Sequence, residues 1–131
     1  HVIISGQDTI TAAPELVRLT GNIAFAHTDA SRSYLNKRLV YGGHTISLAY
    51  AQIMRAIPNT IALIGWQGCD HLGPVLEEDI IRTEFTVVNI TPIPAGGSLC
   101  ELNIDTYANR LDQDSNYVES KVLNWRLVLW V

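Results

Sequence analysis

Asn22 and His27 stand five positions apart in the run Thr20-Gly-Asn-Ile-Ala-Phe-Ala-His-Thr-Asp29. An amide and an imidazole at that spacing can hold a carbonyl group and a water molecule together, the imidazole also taking or giving a proton near neutrality. Downstream, Tyr41-Gly42-Gly43 precedes an apolar segment that opens at His44. N–H groups at a helix start lack intrahelical acceptors, so this turn can receive an oxyanion. Together these parts point to chemistry on a thioester.

The other polar candidates are weaker. His44 and His71 share no paired ligand spacing with His27, so a zinc site built on the three imidazoles is not expected. Ser47 and Cys69 lack the local signature of an activated nucleophile. Asp29 can either steer His27 or cap the next turn. Asp70-His71, at the expected end of a strand, can offer a polar contact to an acyl group. Arg32, Lys37 and Arg38 can face phosphates at a site mouth or form a solvated face.

These residues need elements to position them. Thr11 can cap a short helix over residues 12–19, with Pro14 tolerated in its first turn and Gly21 as its stop. The segment from Thr20 to Asp29 then follows as a loop, and Ala30 to Arg38 reads as a surface loop or short helix. His44 to Ile57 is the clearest helix, because Ile46, Ala49, Tyr50, Ile53 and Ile57 recur at three- and four-residue steps before Pro58. It is apolar on most of its circumference, so it should be buried. Four strand-like segments follow: Thr60 to Cys69, Asp79 to Thr91, Ser98 to Ala108 and Glu119 to Val131. One helix followed by four consecutive strands predicts an α+β domain, an antiparallel sheet wrapped around a central helix.

Composition narrows the function classes. A chain of 131 residues with 47% hydrophobic and 17% charged residues fits one globular domain over 1–131. The net charge is −4 and the nine Lys and Arg residues are scattered, which argues against a nucleic-acid partner. No apolar run is long enough to span a bilayer and no signal-peptide pattern opens the chain, so a cytoplasmic protein without a membrane partner is expected. Cys69 and Cys100 read as buried thiols, with a disulfide as the alternative.

The order of motifs resembles the MaoC-like hydratases and dehydratases of the hot-dog fold. Thr20, Gly21, Asn22, His27 and Asp29 match that family's Thr-Gly-Asp-x-Asn-Pro-x-His-x-Asp pattern, with Asn22 where Asp is usual and Ala24-Phe25 where Asn-Pro is usual. Tyr41-Gly42 matches its His-Gly, and Pro74-Val75-Leu76-Glu77-Glu78-Asp79 its Pro-Val-x-x-Gly-Asp turn. The stretch from Arg38 through Ala49, with Gly65-Trp66 and Cys69-Asp70-His71, is most similar to the mesaconyl-CoA hydratase branch.

The resemblance implies reversible addition of water to an α,β-unsaturated acyl-CoA, with coenzyme A carried by the substrate and no separate cofactor or metal. In that reaction a base deprotonates the attacking water, an acid protonates the α-carbon and donors hold the enolate oxygen. His27 suits the proton transfers. Asn22 cannot titrate, so it would position water or the carbonyl. The backbone of Gly42, Gly43 and His44 would take the thioester oxygen, the missing β-carbons letting substrate come close. Asp29, Tyr41, Asp70 and His71 would support them. A homodimer or a pair of hot-dog halves is expected, and the apolar terminal strand is consistent with such pairing. A non-catalytic subunit that binds an acyl thioester or stabilises a partner is the alternative. A thioesterase ranks third, because no acid is evident between His44 and Ile57.

Overall fold

The computed structural model describes residues 2–131. Five strands form one antiparallel sheet in the order β1-β3-β4-β5-β2: β1 Val2–Thr9, β2 Ala62–His71, β3 Ile80–Pro92, β4 Ser98–Leu111 and β5 Tyr117–Trp130. Helix α1 spans Ala13–Thr20, α2 spans Phe25–Thr28 and the long α3 spans Gly42–Ala56. This is the α+β hot-dog arrangement, with the sheet curled about α3. Among the described residues no helix is long and apolar enough to cross a membrane.

Alternation builds the sheet's inner face. Ile81, Thr83 and Phe85 of β3 and Leu102, Ile104, Thr106 and Ala108 of β4 are buried, while their immediate neighbours along each strand are more exposed. Register puts Phe85 opposite Ile104 and Thr83 opposite Thr106, whose hydroxyls lie 3.3 Å apart and share a hydrogen bond. Ala49 and Ile53 of α3 pack onto this face with Phe85, Trp125, Leu127 and Leu129. A second cluster gathers Ile10, Ala13, Val40, Val75, Ile81, Ala108 and Val122, and so fastens α1 and the segment before α3 to one end of the sheet.

The structure departs from the sequence expectations at several points. A fifth strand, β1, precedes the helices and pairs with β3. The cap of α1 is Ala12, with no side-chain hydrogen bond, so Thr11 does not cap it; Gly21, in the left-handed region at φ 73°, is the stop. Helix α3 starts at Gly42 rather than His44, with Tyr41 in an extended conformation as its N-cap. Its burial is confined to one side: His44, Thr45, Ala49, Gln52 and Ile53 are buried, whereas Ser47, Ala51 and Arg55 are exposed. Gln52 is fully buried because its amide donates to Asp8 Oδ2 at 2.7 Å and to the Ile81 carbonyl at 2.9 Å.

The apolar terminal strand has a different role from the one expected. β5 lies inside the sheet between β4 and β2, and its hydrophobic residues are needed for the core. The edges are β1 and β2, and it is β2 that leaves apolar side chains in solvent, Ile64 at 54% and Trp66 at 53% exposure. Both cysteines are free thiols, Cys100 buried and Cys69 half-buried, and burial pushes both above the ordinary thiol range.

Candidate active site

The segment from Thr20 to Asp29 is not wholly loop. After Gly21 the chain runs through Asn22 and then folds into the single turn of α2, which carries His27. Two bonds pin this turn to the extended residues before α3: Leu39 N–H donates to the Ala26 carbonyl at 2.8 Å, and His27 Nδ1 lies 2.6 Å from the Leu39 carbonyl. A carbonyl oxygen only accepts, so Nδ1 carries the hydrogen. In the neutral ring the Nε2 lone pair is then the proton acceptor.

Leu39 is held in turn by the strand-like turn after β2. Leu39 forms an antiparallel bridge with Leu76, and Val40 N–H donates to the Val75 carbonyl at 2.8 Å. Arg38 completes the clamp. Its backbone N–H and its guanidinium both donate to the Glu77 carboxylate, at 3.0 and 2.8 Å, and its Nε donates to the Thr28 carbonyl at 3.1 Å. The Glu77 carboxyl stays below its ordinary range, because these Arg38 hydrogen bonds and the positive charge outweigh the opposing effect of burial.

Between these elements lies a cleft of about 390 Å³, lined by His27, Leu39, Val40, Gly42, Thr45, His71, Gly73, Pro74 and Val75. A larger cleft of about 500 Å³ sits against the β4–β5 hairpin with Lys37, Arg110 and Asp112 among its walls. It contains neither imidazole nor thiol, so the proton-transfer chemistry belongs to the smaller one.

Gly42 lines the cleft, Gly43 follows it in the first turn of α3, and both have a steric role the sequence did not disclose. A β-carbon on Gly42 would come within 2.6 Å of the His71 ring, and one on Gly43 within 2.7 Å of the Tyr41 hydroxyl. The two glycines therefore make room for two rings of this chain, rather than for substrate. Among the described residues no acceptor within the chain takes the N–H of Gly42 or of Gly43. His44 differs: its N–H donates to the Tyr41 carbonyl at 3.0 Å, so it is not a free oxyanion donor. Its side chain is 6% exposed, Nδ1 is buried without a partner, and burial holds the imidazole below its ordinary pKa, in the neutral form.

The structure thus brings together His27, Gly42, Gly43, Tyr41 and His71. Tyr41 meets His27 edge to face, with ring centroids 6.4 Å apart. Asn22 is half-buried in the turn ahead of α2 and is not among the residues lining the cleft. Asp29 does not steer His27. Its Oδ1 accepts from the backbone and hydroxyl of Ser31, and these bonds depress its pKa; the capping alternative is the one observed. Asp70 points to the opposite side of β2 from His71 and pairs with Arg126 at 3.1 Å. Arg32 pairs with Asp29 and lies over the Phe25 ring, Lys37 pairs with Glu78, and Arg38 belongs to the clamp. Sequence reasoning missed Leu39, which acts through its carbonyl, and Thr45, which is 2% exposed and lines the cleft one turn into α3. A threonine next to His44, on the side of α3 that also carries Ala49 and Ile53, was the available signal for the second; backbone roles leave none.

No family model matches the chain. Over 72 residues, 55% of this chain, it is 34% identical to a mesaconyl-CoA hydratase of Cereibacter sphaeroides, and that match covers 21% of the relative's length. Among solved structures, a Mycobacterium tuberculosis protein with a double hotdog fold is 37% identical, superposing with a TM-score of 0.84 over 99% of this chain and 38% of that one. A MaoC domain dehydratase from Chloroflexus aurantiacus superposes with a TM-score of 0.76 at 23% identity, over 98% of this chain and 41% of that one. An (R)-hydratase from Pseudomonas aeruginosa gives 0.74 at 15% identity, over 100% and 79%. The chain spans about a fifth of the curated relative and about two-fifths of the first two structures. With the sheet order and α3 start described above, these likenesses identify the chain as a hot-dog domain similar to the MaoC-like hydratases and dehydratases.

Proposed function

We propose that this domain supplies the catalytic half of a hydro-lyase site that adds water reversibly to an α,β-unsaturated acyl-CoA. The observation that carries the reading is the His27–Leu39 hydrogen bond, which leaves Nε2 as a base at a cleft where two unpaired N–H groups open a helix. In the hydration direction, His27 Nε2 removes a proton from water as its oxygen bonds to the β-carbon, and the π electrons move to the thioester oxygen. Gly42 and Gly43 N–H groups, at the positive end of the α3 dipole, hold that oxygen. The imidazolium returns its proton to the α-carbon, which closes the balance without a metal or a cofactor beyond the coenzyme A of the substrate.

Asn22 cannot titrate and lies outside the cleft lining, so it takes no part in the proton transfers of this scheme. Mesaconyl-CoA is the first substrate to test, given the 34% identity over 72 residues. Loss of enoyl-thioester absorbance with mesaconyl-CoA or crotonyl-CoA in the wild type, and its abolition in His27→Ala, is the expected result. No turnover of either compound by the wild type, or full turnover by the variant, overturns the assignment. Release of free thiol in the same assay would instead indicate a thioesterase.

The absence of Asn22 from the cleft lining favours one second reading, a subunit that binds an acyl thioester or stabilises its partner without turnover. In both readings the domain pairs with another hot-dog unit through the β2 edge, supported by the exposed Leu63, Ile64 and Trp66 there. The free thiols fit a reducing, cytoplasmic setting. Light scattering after size-exclusion should give a dimer for the wild type and a shift toward monomer for Trp66→Glu.

A further inference from the structure

We infer that His71 is a catalytic residue of this site, donating a ring N–H hydrogen bond to the thioester oxygen beside the free N–H of Gly42. The inference rests on the acyl-thioester reading above and adds a third donor to it.

Register sets the direction of the side chain. His71 pairs directly with Leu123 of β5, and Leu123 is fully buried in the core that α3 covers. Residues directly opposite in an antiparallel pair share a face. His71 is therefore on the α3 side of the sheet, while Asp70, paired with Asn124, is on the other. At the last position of β2 the ring overhangs the start of α3. Its Cε1 and Nε2 atoms lie 2.6 and 2.7 Å from the place a Gly42 β-carbon would occupy, with Nδ1 at 3.4 Å.

The edge of the ring against Gly42 is thus the Cε1–Nε2 edge. Glycine at position 42 is what allows this approach, which gives the residue a use beyond helix entry. His71 makes no hydrogen bond or ion pair within the described residues, so its N–H groups are uncommitted. Both protonation states of an imidazole keep at least one N–H. The ring and His27 line the same cleft, together with Gly42.

The need for such a donor follows from His44. With that N–H spent on the Tyr41 carbonyl, the helix start has only the Gly42 and Gly43 N–H groups for the charge that develops on the oxygen. Asn22 stands outside the lining, so His71 is the remaining side chain of the cleft, apart from His27 and Thr45, with a hydrogen to donate. No covalent step is involved: the enolate electron pair returns to the α-carbon on protonation, and His71 keeps its own hydrogens throughout.

The test uses two unreactive probes, butyryl-CoA and S-butyl-CoA, the second lacking the carbonyl oxygen. Calorimetry of the wild type, His71→Ala and His71→Asn, with the infrared carbonyl stretch of carbonyl-labelled butyryl-CoA, reads the interaction directly. Expected in His71→Ala are a weakening of butyryl-CoA by about tenfold, unchanged S-butyl-CoA binding and a carbonyl stretch moved back toward its value in water. His71→Asn, which retains an N–H donor, should recover part of both effects. Equal weakening of both probes would make His71 a packing residue, and no change in either would remove it from the site; both overturn the inference while leaving the acyl-CoA reading in place. Binding of neither probe by the wild type overturns the acyl-CoA reading, and this inference with it.

Discussion

His27 donates its Nδ1 hydrogen to the carbonyl oxygen of Leu39 across 2.6 Å. That bond selects the ring tautomer and aims Nε2, much as an orienting carbonyl does in other histidine sites. Substituting His27→Ala should lower kcat by about 10²–10⁴-fold, the usual worth of a positioned acid–base group. The ring is only half-buried, so the urea midpoint of the variant should stay near that of the wild type. A variant that unfolds, or one that retains full kcat, would contradict the role assigned to the residue.

Gly42→Ala offers a different probe of the same cleft. The added methyl collides with the end of an exposed side chain, His71, which can swing away, so the fold should survive. Activity should fall with the displaced ring, by about 10²–10³-fold, the cost of losing one oxyanion donor. Gly43→Ala should displace Tyr41 instead, since the methyl meets its phenol. Steady-state kinetics on both variants, with circular dichroism to verify folding, checks the pair.

Glu78 occupies a left-handed conformation, φ 72°, in the turn that joins β2 to β3. Relief of a side-chain clash there is worth about 1–2 kcal/mol, against roughly 0.5–1 kcal/mol of extra backbone entropy that glycine loses on folding. Glu78→Gly should therefore stabilise the chain by about 0.5–1 kcal/mol, a few tenths less if the exposed pair with Lys37 contributes. A rise in the urea midpoint with an unchanged slope is the expected observation.

His44 links stability to pH. Burial depresses its native pKa below the 6.5 of an ordinary imidazole, so the unfolded chain takes up the proton first as pH falls. Stability should be unaffected by this group above about pH 6.5 and should be lost progressively as pH drops from there toward the native pKa. His44→Phe should flatten that slope in a series of urea midpoints between pH 7 and pH 5, and removes the unpaired Nδ1 as well.

Glu77 acts in the opposite sense from a lower pH window. Its native pKa lies below the ordinary 4.5, so the Arg38 clamp adds stability above that value and loses it as pH falls through the native pKa. Glu77→Gln should match the wild type in the most acid solutions and be the weaker of the two near neutrality. Acid titrations of both proteins followed by tryptophan fluorescence give the comparison.

Local pattern made much of this fold legible. The three- and four-residue apolar steps of α3, the alternation in β3 and β4, and Gly21 as a helix stop are properties of neighbouring residues, and periodicity reports them directly. β1 escaped because Gly6, Gln7 and Asp8 interrupt its apolar alternation; its ladder with β3 makes it a strand. The apolar run of β5 read correctly as a strand, yet whether it sits at an edge or inside a sheet depends on partners far along the chain.

The same division holds at the site. The residue types at positions 22, 27, 42 and 43 and the spacing between them were enough to nominate an imidazole and a glycine-opened helix. What the tertiary structure alone decided is how these groups relate: Leu39 gives His27 its tautomer, Tyr41 consumes the His44 N–H, Asp29 turns to Ser31, and His71 arrives over Gly42 from a strand begun after α3 has ended. Sequence specifies which chemistry each side chain can perform, because that is a property of the residue. Which of those groups meet is decided by long-range strand pairing and packing, which no local window contains.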